Sequence, residues 1–180
     1  YISTEEKDKT QISEILNDMC YNIFRNNMIV QDIKQCVLDG RIPIVLTERV
    51  EHLKILKEEL DSINVPVVIY KGAMGKKKSK EIRDDIDEAD RNNESRIILA
   101  TSSSIGEGFD DSRLDTLFLT MPVSWKGRIL QYVGRLHREH EDKSKVIVYD
   151  YFDNMKVLEK MYFRRIKGYK IAGYEIIEEA

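Results

Sequence analysis

The chain has 180 residues, of which 42% are hydrophobic and 34% charged, with a formal net charge of −3. That length supports one well-buried α/β domain and not comfortably two, and the composition is that of a folded protein with a charged surface. The charge excludes a globally basic nucleic-acid coat, so contact with DNA or RNA has to run through a local patch.

In chain order, Ile12, Ile15, Leu16, Met19 and Ile23 fall at helical spacing and predict an amphipathic helix over about 8–24, broken by Arg25-Asn26-Asn27. A second helix carries Ile29, Ile33, Cys36 and Val37 on one face and stops at Asp39-Gly40. Cys20 and Cys36 show no CxxC or Cys/His spacing and sit among these apolar residues, so they read as buried, reduced thiols. Short apolar runs then recur at Ile42–Thr47, Val65–Tyr70, Arg96–Thr101, Thr116–Thr120 and Val146–Tyr149. They are nearly continuous rather than alternating, as strands covered on both faces are. Helical stripes separate most of them: Val50, Leu53, Leu56 and Leu60; Ile82, Ile86 and Ala89; Leu130 and Val133. A last helix is expected over about Met155–Lys167, ending at Gly168. Strand–helix–strand repetition predicts a parallel sheet of five strands with helices on both faces, a three-layer arrangement whose ligands gather at the carboxyl ends of the strands.

The most informative segment is Gln131-Tyr132-Val133-Gly134-Arg135-Leu136-His137-Arg138. On a helix, Arg135 and Arg138 share a face with Gln131 one turn behind, and Gly134 lets a ligand or backbone come close. Two guanidiniums on one face suit a polyphosphate and can neutralise charge on a transferred γ-phosphoryl group. A solvated basic face paired with Glu139, Glu141 and Asp142 is the plainer alternative. Upstream, Ala100-Thr101-Ser102-Ser103-Ser104-Ile105-Gly106-Glu107-Gly108-Phe109-Asp110 leaves an apolar strand into a loop of hydroxyls and glycines. Its N–H and hydroxyl groups suit a phosphodiester backbone held without base reading, and Asp110 suits a ribose or an arginine.

These residues resemble motifs of superfamily 2 helicases. QYVGRLHR resembles Q-x-x-G-R-x-x-R, motif VI, and ATSSSIGEGFD resembles motif V with its E-G-x-D core. IVLTERVEHLKIL (44–56) is similar to motif IV of the restriction-enzyme and excision-repair branch, and VIYKGAMGKKK (68–78) falls where that branch has a strand ending in a Gly-containing loop. The type III restriction subunit-like and DEAD/DEAH-like groups are the nearest in pattern. The resemblance runs from about Asn26 to Asp150 with the four motifs in order. It implies a RecA-like domain, the second motor domain of an ATP-dependent helicase or translocase. Arg135 and Arg138 would then be arginine fingers, with Gln131, Gly108, Asp110 and Gly134 beside the nucleotide. Thr47, Arg49, Lys71, Gly72 and Thr101 would line the nucleic-acid track, for DNA with RNA also open. ATP with Mg²⁺ is implied only for the full-length protein, the metal ligands lying on an N-terminal RecA-like partner domain and none on this chain. His137 falls where the family varies and receives no role.

Two look-alikes are set aside. Asp87-Glu88-Ala89-Asp90 spells a helicase box, but its charged, helical surroundings are not the buried strand that box needs. Gly72-Ala73-Met74-Gly75-Lys76-Lys77-Lys78-Ser79 lacks the four residues between glycines and the hydroxyl directly after lysine that a Walker loop requires. So the isolated chain is expected to hold half of an ATP site.

The weaker signals stay open. Lys76, Lys77, Lys78 and Lys80 suit a solvated helix start or a nucleic-acid contact; Trp125 suits packing or stacking; His52 suits a helix surface or the core. Tyr162, Arg164, Arg165 and Tyr169 suit a docked terminal helix or a nucleic-acid or partner surface. The expected organisation is an upstream helical segment or linker over 1–28, the motor domain over 29–155 and a terminal helix and tail over 156–180. With no secretory signal and no apolar run long enough to span a bilayer, a cytoplasmic protein with no membrane partner is expected. A chain starting at Tyr1 is expected to be an excised piece of a longer one. The rival reading is a non-catalytic nucleic-acid or protein-binding module that keeps the fold without the ATP cycle.

Overall fold

The computed structural model describes residues 4–70, 76–92, 94–105, 111–123, 132–134, 136, 137, 143 and 145–178. The elements run α1 (Thr4–Cys20), α2 (Ile23–Leu38), β1 (Pro43–Thr47), α3 (Val50–Leu60), β2 (Val67–Tyr70), α4 (Lys76–Arg91), β3 (Ile97–Thr101), β4 (Thr116–Leu119), β5 (Ile147–Asp150) and α5 (Lys156–Ile171). Residues 132–134 and 136 are also helical. The strands form a single all-parallel sheet in the order β2-β3-β1-β4-β5. The expected RecA-like, three-layer fold is the one observed, and each strand lies within a residue or two of its expected span.

The order of the sheet explains which helix covers which face. From β1 the chain steps past β3's position to the edge strand β2 and then back to β3. Reversing direction under a constant crossover hand moves the connecting helix to the opposite face. Leu53, Leu56 and Leu60 of α3 accordingly pack with α2 residues Ile29, Val30 and Ile33 on Val45, Leu99 and Phe118. Ile82 and Ile86 of α4 pack on the other face with Ile44, Leu46, Ile98, Ala100, Leu117 and Leu119, beside Tyr132, Val133 and Leu136. Each central strand thus feeds both cores, which is why β1, β3 and β4 are buried along their whole length. Asp87–Asp90 lies within α4, as its charged setting requires. Both thiols are buried, and burial pushes that of Cys36 up to about 11.

Two helix boundaries differ from the sequence expectation. The first helix ends at Cys20 and the second begins at Ile23, because the Asn22 side chain caps it by accepting from the Arg25 N–H at 3.0 Å. Arg25 and Asn26, expected to break a helix, therefore sit inside α2, where buried hydrogen bonds employ their polar ends. At the other end, Gly168 does not stop α5. It is buried within the helix, and the chain turns at Gly173, whose φ of 85° suits a residue without a side chain. No helix among the described residues is long and apolar enough to cross a membrane.

At the amino ends of the strands, Arg41 gathers three of them. Its Nε donates to Thr116 Oγ1 at 2.6 Å, and Nη2 donates to the carbonyls of Asp115 and Lys145, both at 3.0 Å. The connection from β3 to β4 is tied down by Arg96 and Asp111, whose side chains are 1% and 0% exposed. Arg96 Nη2 and Nε donate to Asp111 Oδ2 at 2.6 and 3.1 Å, and Asp111 Oδ1 accepts from the Arg113 N–H at 3.1 Å. A charge pair so deep is costly to break from one side. Asp111→Ala is expected to lower the unfolding free energy by about 3–5 kcal/mol, measured from denaturant midpoints, with Arg96→Met/Asp111→Leu recovering most of the loss. A single variant as stable as the parent would show that the pair does not hold this connection.

Candidate functional site

The carboxyl ends of the five strands bring the polar residues together, as the sheet's parallel register requires. Thr47 lies opposite Thr101, and Leu46 lies opposite both Ala100 and Leu119. Directly past these ends the sheet remains hydrogen bonded, with the N–H groups of Ser102 and Thr120 donating to the carbonyls of Thr47 and Leu46, both at 3.0 Å. So a row of hydroxyls, Thr47, Thr101, Ser102, Ser104 and Thr120, lies buried just beneath the edge.

One part of this layer centres on His52, which is fully buried. Asn26 Nδ2 donates to the Cys20 carbonyl at 2.8 Å, which turns Asn26 Oδ1 toward His52 Nε2 at 3.0 Å. Nε2 therefore carries the proton, and Nδ1 accepts from the Thr47 hydroxyl at 2.9 Å. Burial and the nearby Arg25 guanidinium pull the imidazole down to about 3, so the ring is neutral at ordinary pH. The Thr47 hydroxyl is thus turned inward, and it also accepts from the Arg49 N–H at 3.3 Å. The half-buried Arg49 reaches back to α1, its Nη2 donating to Ser13 Oγ at 2.8 Å and to the Ser13 carbonyl at 3.2 Å.

Beyond β4 and β5 the edge is fixed by two buried guanidiniums. Arg25 Nη1 donates to the Thr120 carbonyl at 2.6 Å while Nε and Nη2 pair with both oxygens of Asp153 at 2.8 and 3.0 Å. Arg165 repeats the arrangement from α5, with Nη1 on the Val123 carbonyl at 3.0 Å and Nε and Nη2 on Asp150 at 2.7 and 2.9 Å. Tyr169 also donates to Asp150 Oδ2 at 2.9 Å, and burial with the Asp150 charge raises its phenol strongly.

Part of the segment expected to carry chemistry, residues 132–134 and 136, is described, and it packs on the face covered by α4. Tyr132, Val133 and Leu136 are buried, and the Tyr132 hydroxyl donates to the Ser102 carbonyl, joining this helix to the loop after β3. In that loop the Thr101 hydroxyl pairs with Ser104 Oγ and lies 3.2 Å from Ser103 Oγ. Gly134 is exposed, and a Cβ placed on it meets nothing within 4 Å. Lys143 Nζ donates to the Leu136 carbonyl at 2.9 Å, and His137 Nε2 lies 2.8 Å from the Tyr174 hydroxyl. Of the expected site residues, Thr47, Arg49 and Thr101 are placed at this edge and Gly134 lies exposed on the helix that carries Tyr132; Gln131, Arg135, Arg138, Gly108, Asp110, Lys71 and Gly72 lie outside the described residues, as does Trp125.

Tyr132, Asn26 and Arg25 receive no role from the sequence, and Arg165 is singled out only for a docked helix or a basic, aromatic surface. The available signal was a polar side chain placed among apolar helical positions: Arg25 and Asn26 precede the Ile29 stripe, and Arg165 follows Leu158.

Comparison with known proteins agrees with the parallel sheet. Residues 25–140 match the helicase conserved C-terminal domain. The protein named "Putative helicase 161L" of Invertebrate iridescent virus 6 is 30% identical over 173 residues, which are 92% of this chain and 37% of that protein. "Uncharacterized protein 108L" of Invertebrate iridescent virus 3 is 36% identical over 86 residues, 47% of this chain and 78% of its own length. Among solved structures, T4 UvsW is similar with a TM-score of 0.67 at 21% identity, covering 91% of this chain and 35% of UvsW. The helicase domain of Pyrococcus furiosus Hef gives 0.55 at 23% identity, over 77% of this chain and 28% of Hef. These two structural likenesses establish the fold. The chain spans little more than a third of the 161L protein.

The neutral His52 gives a pH test with a definite sign. Its folded value of about 3 lies below the usual 6.5, so its contribution is complete above pH 6.5 and is lost as pH falls toward 3. The loss approaches about 1.4 kcal/mol per pH unit inside that window. His52→Gln is expected to be less stable at neutral pH but to show a flatter decline in urea midpoint from pH 6.5 to 4. Parallel declines for the two proteins would mean that His52 does not titrate on unfolding.

Proposed function

We propose that this chain, which belongs to the helicase conserved C-terminal domain family, is the second motor domain of an ATP-dependent superfamily 2 helicase or translocase. In this reading it closes against an N-terminal RecA-like domain that holds the phosphate loop and the Mg²⁺-binding carboxylate, with residues 1–28 leading in from that side. ATP is the substrate shared between the two domains. Arg135 and Arg138 are the arginine fingers, and Gln131, Gly134, Gly108 and Asp110 lie beside the nucleotide. The edge bearing Thr47, Arg49, Lys71, Gly72 and Thr101 follows a DNA backbone. Closing and opening would move the domains along that strand, with little sequence preference and a strong dependence on salt.

The observation that carries this reading is the hydrogen bond from Tyr132 to the Ser102 carbonyl. It ties the helix that carries Tyr132, Val133 and Leu136 to the hydroxyl-rich loop after β3. A motor needs such a tie: a domain movement triggered at the γ-phosphate has to reach the nucleic-acid contacts without being absorbed between them. The exposed Gly134 supports the same picture, since its surface is open to a closing domain or a nucleotide. The Thr47 hydroxyl faces inward onto His52, so a strand at the β1 tip would be met by groups other than that hydroxyl.

The isolated chain is expected to hydrolyse no ATP; robust turnover by the purified 180-residue protein would overturn the two-domain reading. In the protein carrying both domains, Arg138→Ala is expected to abolish hydrolysis while nucleic-acid binding in an electrophoretic shift assay is largely kept. Equal loss of both would make that arginine structural. Gly134→Ala should leave the isolated domain as stable or raise its stability by about 0.5–1 kcal/mol, yet slow ATP turnover in the two-domain protein. Unimpaired turnover would show that nothing closes on this position.

A further inference from the structure

The sequence leaves α5 between a docked terminal helix and a basic, aromatic surface, and its two sides supply both. The inner side is buried through Leu158, Arg165, Gly168 and Tyr169, and the Arg165 fork pins it across the tips of β4 and β5. The outer side exposes Lys156, Lys160, Arg164, Lys167 and Lys170. They recur every three or four residues, one stripe along about 21 Å of helix at 1.5 Å per residue. Among the described residues, acids near this stripe include Glu159, half-buried in the same helix, and Glu178 and Asp150, whose charges reach Tyr162. On a chain with a net charge of −3, such a concentration of cations is local and one-sided.

Aromatic rings run through the same surface. Phe163 is 63% exposed and Phe152 is 50% exposed, large apolar areas to leave in water. Tyr162 bridges them, with ring centroids 4.6 Å from Phe152 and 5.6 Å from Phe163. The Arg165 guanidinium lies 5.8 Å from the Tyr162 centroid, so the charge that fixes α5 to the strand tips also supports the ring cluster. A line of cations interleaved with exposed rings is what a single nucleic-acid strand needs: phosphates are neutralised in sequence, and unpaired bases find faces on which to stack. A paired duplex offers the charge but hides the base faces.

We propose that the outer face of α5, with Phe152 and Phe163 as its stacking surfaces, binds single-stranded nucleic acid. This rests on the motor-domain reading for its class of occupant. It extends the track at the carboxyl edge of the sheet onto a helix outside the segment that matches the helicase domain, which ends at residue 140.

The test is fluorescence anisotropy of the 180-residue chain with a labelled thymidine oligonucleotide and with an abasic strand of equal length. Lys160→Gln/Arg164→Gln/Lys167→Gln is expected to weaken both at least about tenfold and to reduce the log–log salt slope by about 2, three phosphate contacts being lost. Phe163→Ala should cost about tenfold on the thymidine strand and little on the abasic one. All four residues are exposed, so circular dichroism and the unfolding midpoint should match the parent. If the parent binds and the variants bind equally well, the α5 site is wrong and the motor reading stands. A parent that binds neither strand at low salt also overturns the site and leaves this face to a protein partner. The motor reading is judged separately by Arg138→Ala.

Discussion

The working edge of this domain depends on two buried guanidiniums, each holding a carboxylate and a backbone carbonyl at once. Arg25 enters from α2 and Arg165 from α5, and between them they fix the chain just past β4 to the chain just past β5. A buried charge is expensive, and the paired carboxylate offsets much of that cost only when the remaining donors are also used. Here the remaining donor is spent on the main chain of the very segment that leads to residues 124–131. The sheet supplies a parallel platform, while the arginines fix the chain that follows β4.

Next to these charges lies a layer that works by staying neutral. His52 is fully buried close to Arg25, and both of its nitrogens are committed, one to Asn26 and one to Thr47. Burial makes a charged imidazole costly and the nearby Arg25 guanidinium adds to that cost, so the ring gives up its proton. The layer links the α1–α2 junction, through the Cys20 carbonyl, to the tip of β1. Arg49 makes a second link from the same tip to Ser13. The first helix is consequently seated on the sheet edge by polar contacts as well as by Leu16, Met19 and Cys20 packing near Met121 and Leu158.

The sheet was readable because its strands are short apolar runs with helical stripes between them, a pattern that leaves few other topologies open. The QYVGRLHR and ATSSSIGEGFD segments stood out because arginines, hydroxyls and glycines cluster in them, and the match to the helicase conserved C-terminal domain spans both. The helix joint at Tyr21-Asn22 was not, since the Arg25-Asn26-Asn27 run carries the stronger breaker signal. The Asn22 cap, with hydrogen bonds to Asp153, Thr120, Cys20 and His52, makes a helix interior of Arg25 and Asn26. Gly168 misled for a related reason: a glycine signals a helix end, yet this one is buried within α5 and the turn falls to Gly173. At Arg25 and Asn26, partners distant in sequence outweighed local propensity.

Several of these ties end on carbonyl oxygens: Tyr132 on Ser102, Arg25 on Thr120, Arg165 on Val123 and Asn26 on Cys20. Such an acceptor is supplied by any amino acid, so the obligation falls on one member of each pair. Divergence can therefore rewrite the side chains at 102, 20 and 123 without undoing the tie, while the tyrosine, arginines and asparagine opposite have far less latitude. Distant relatives would then preserve the wiring of this edge through a handful of donors, with the acceptor positions free to drift.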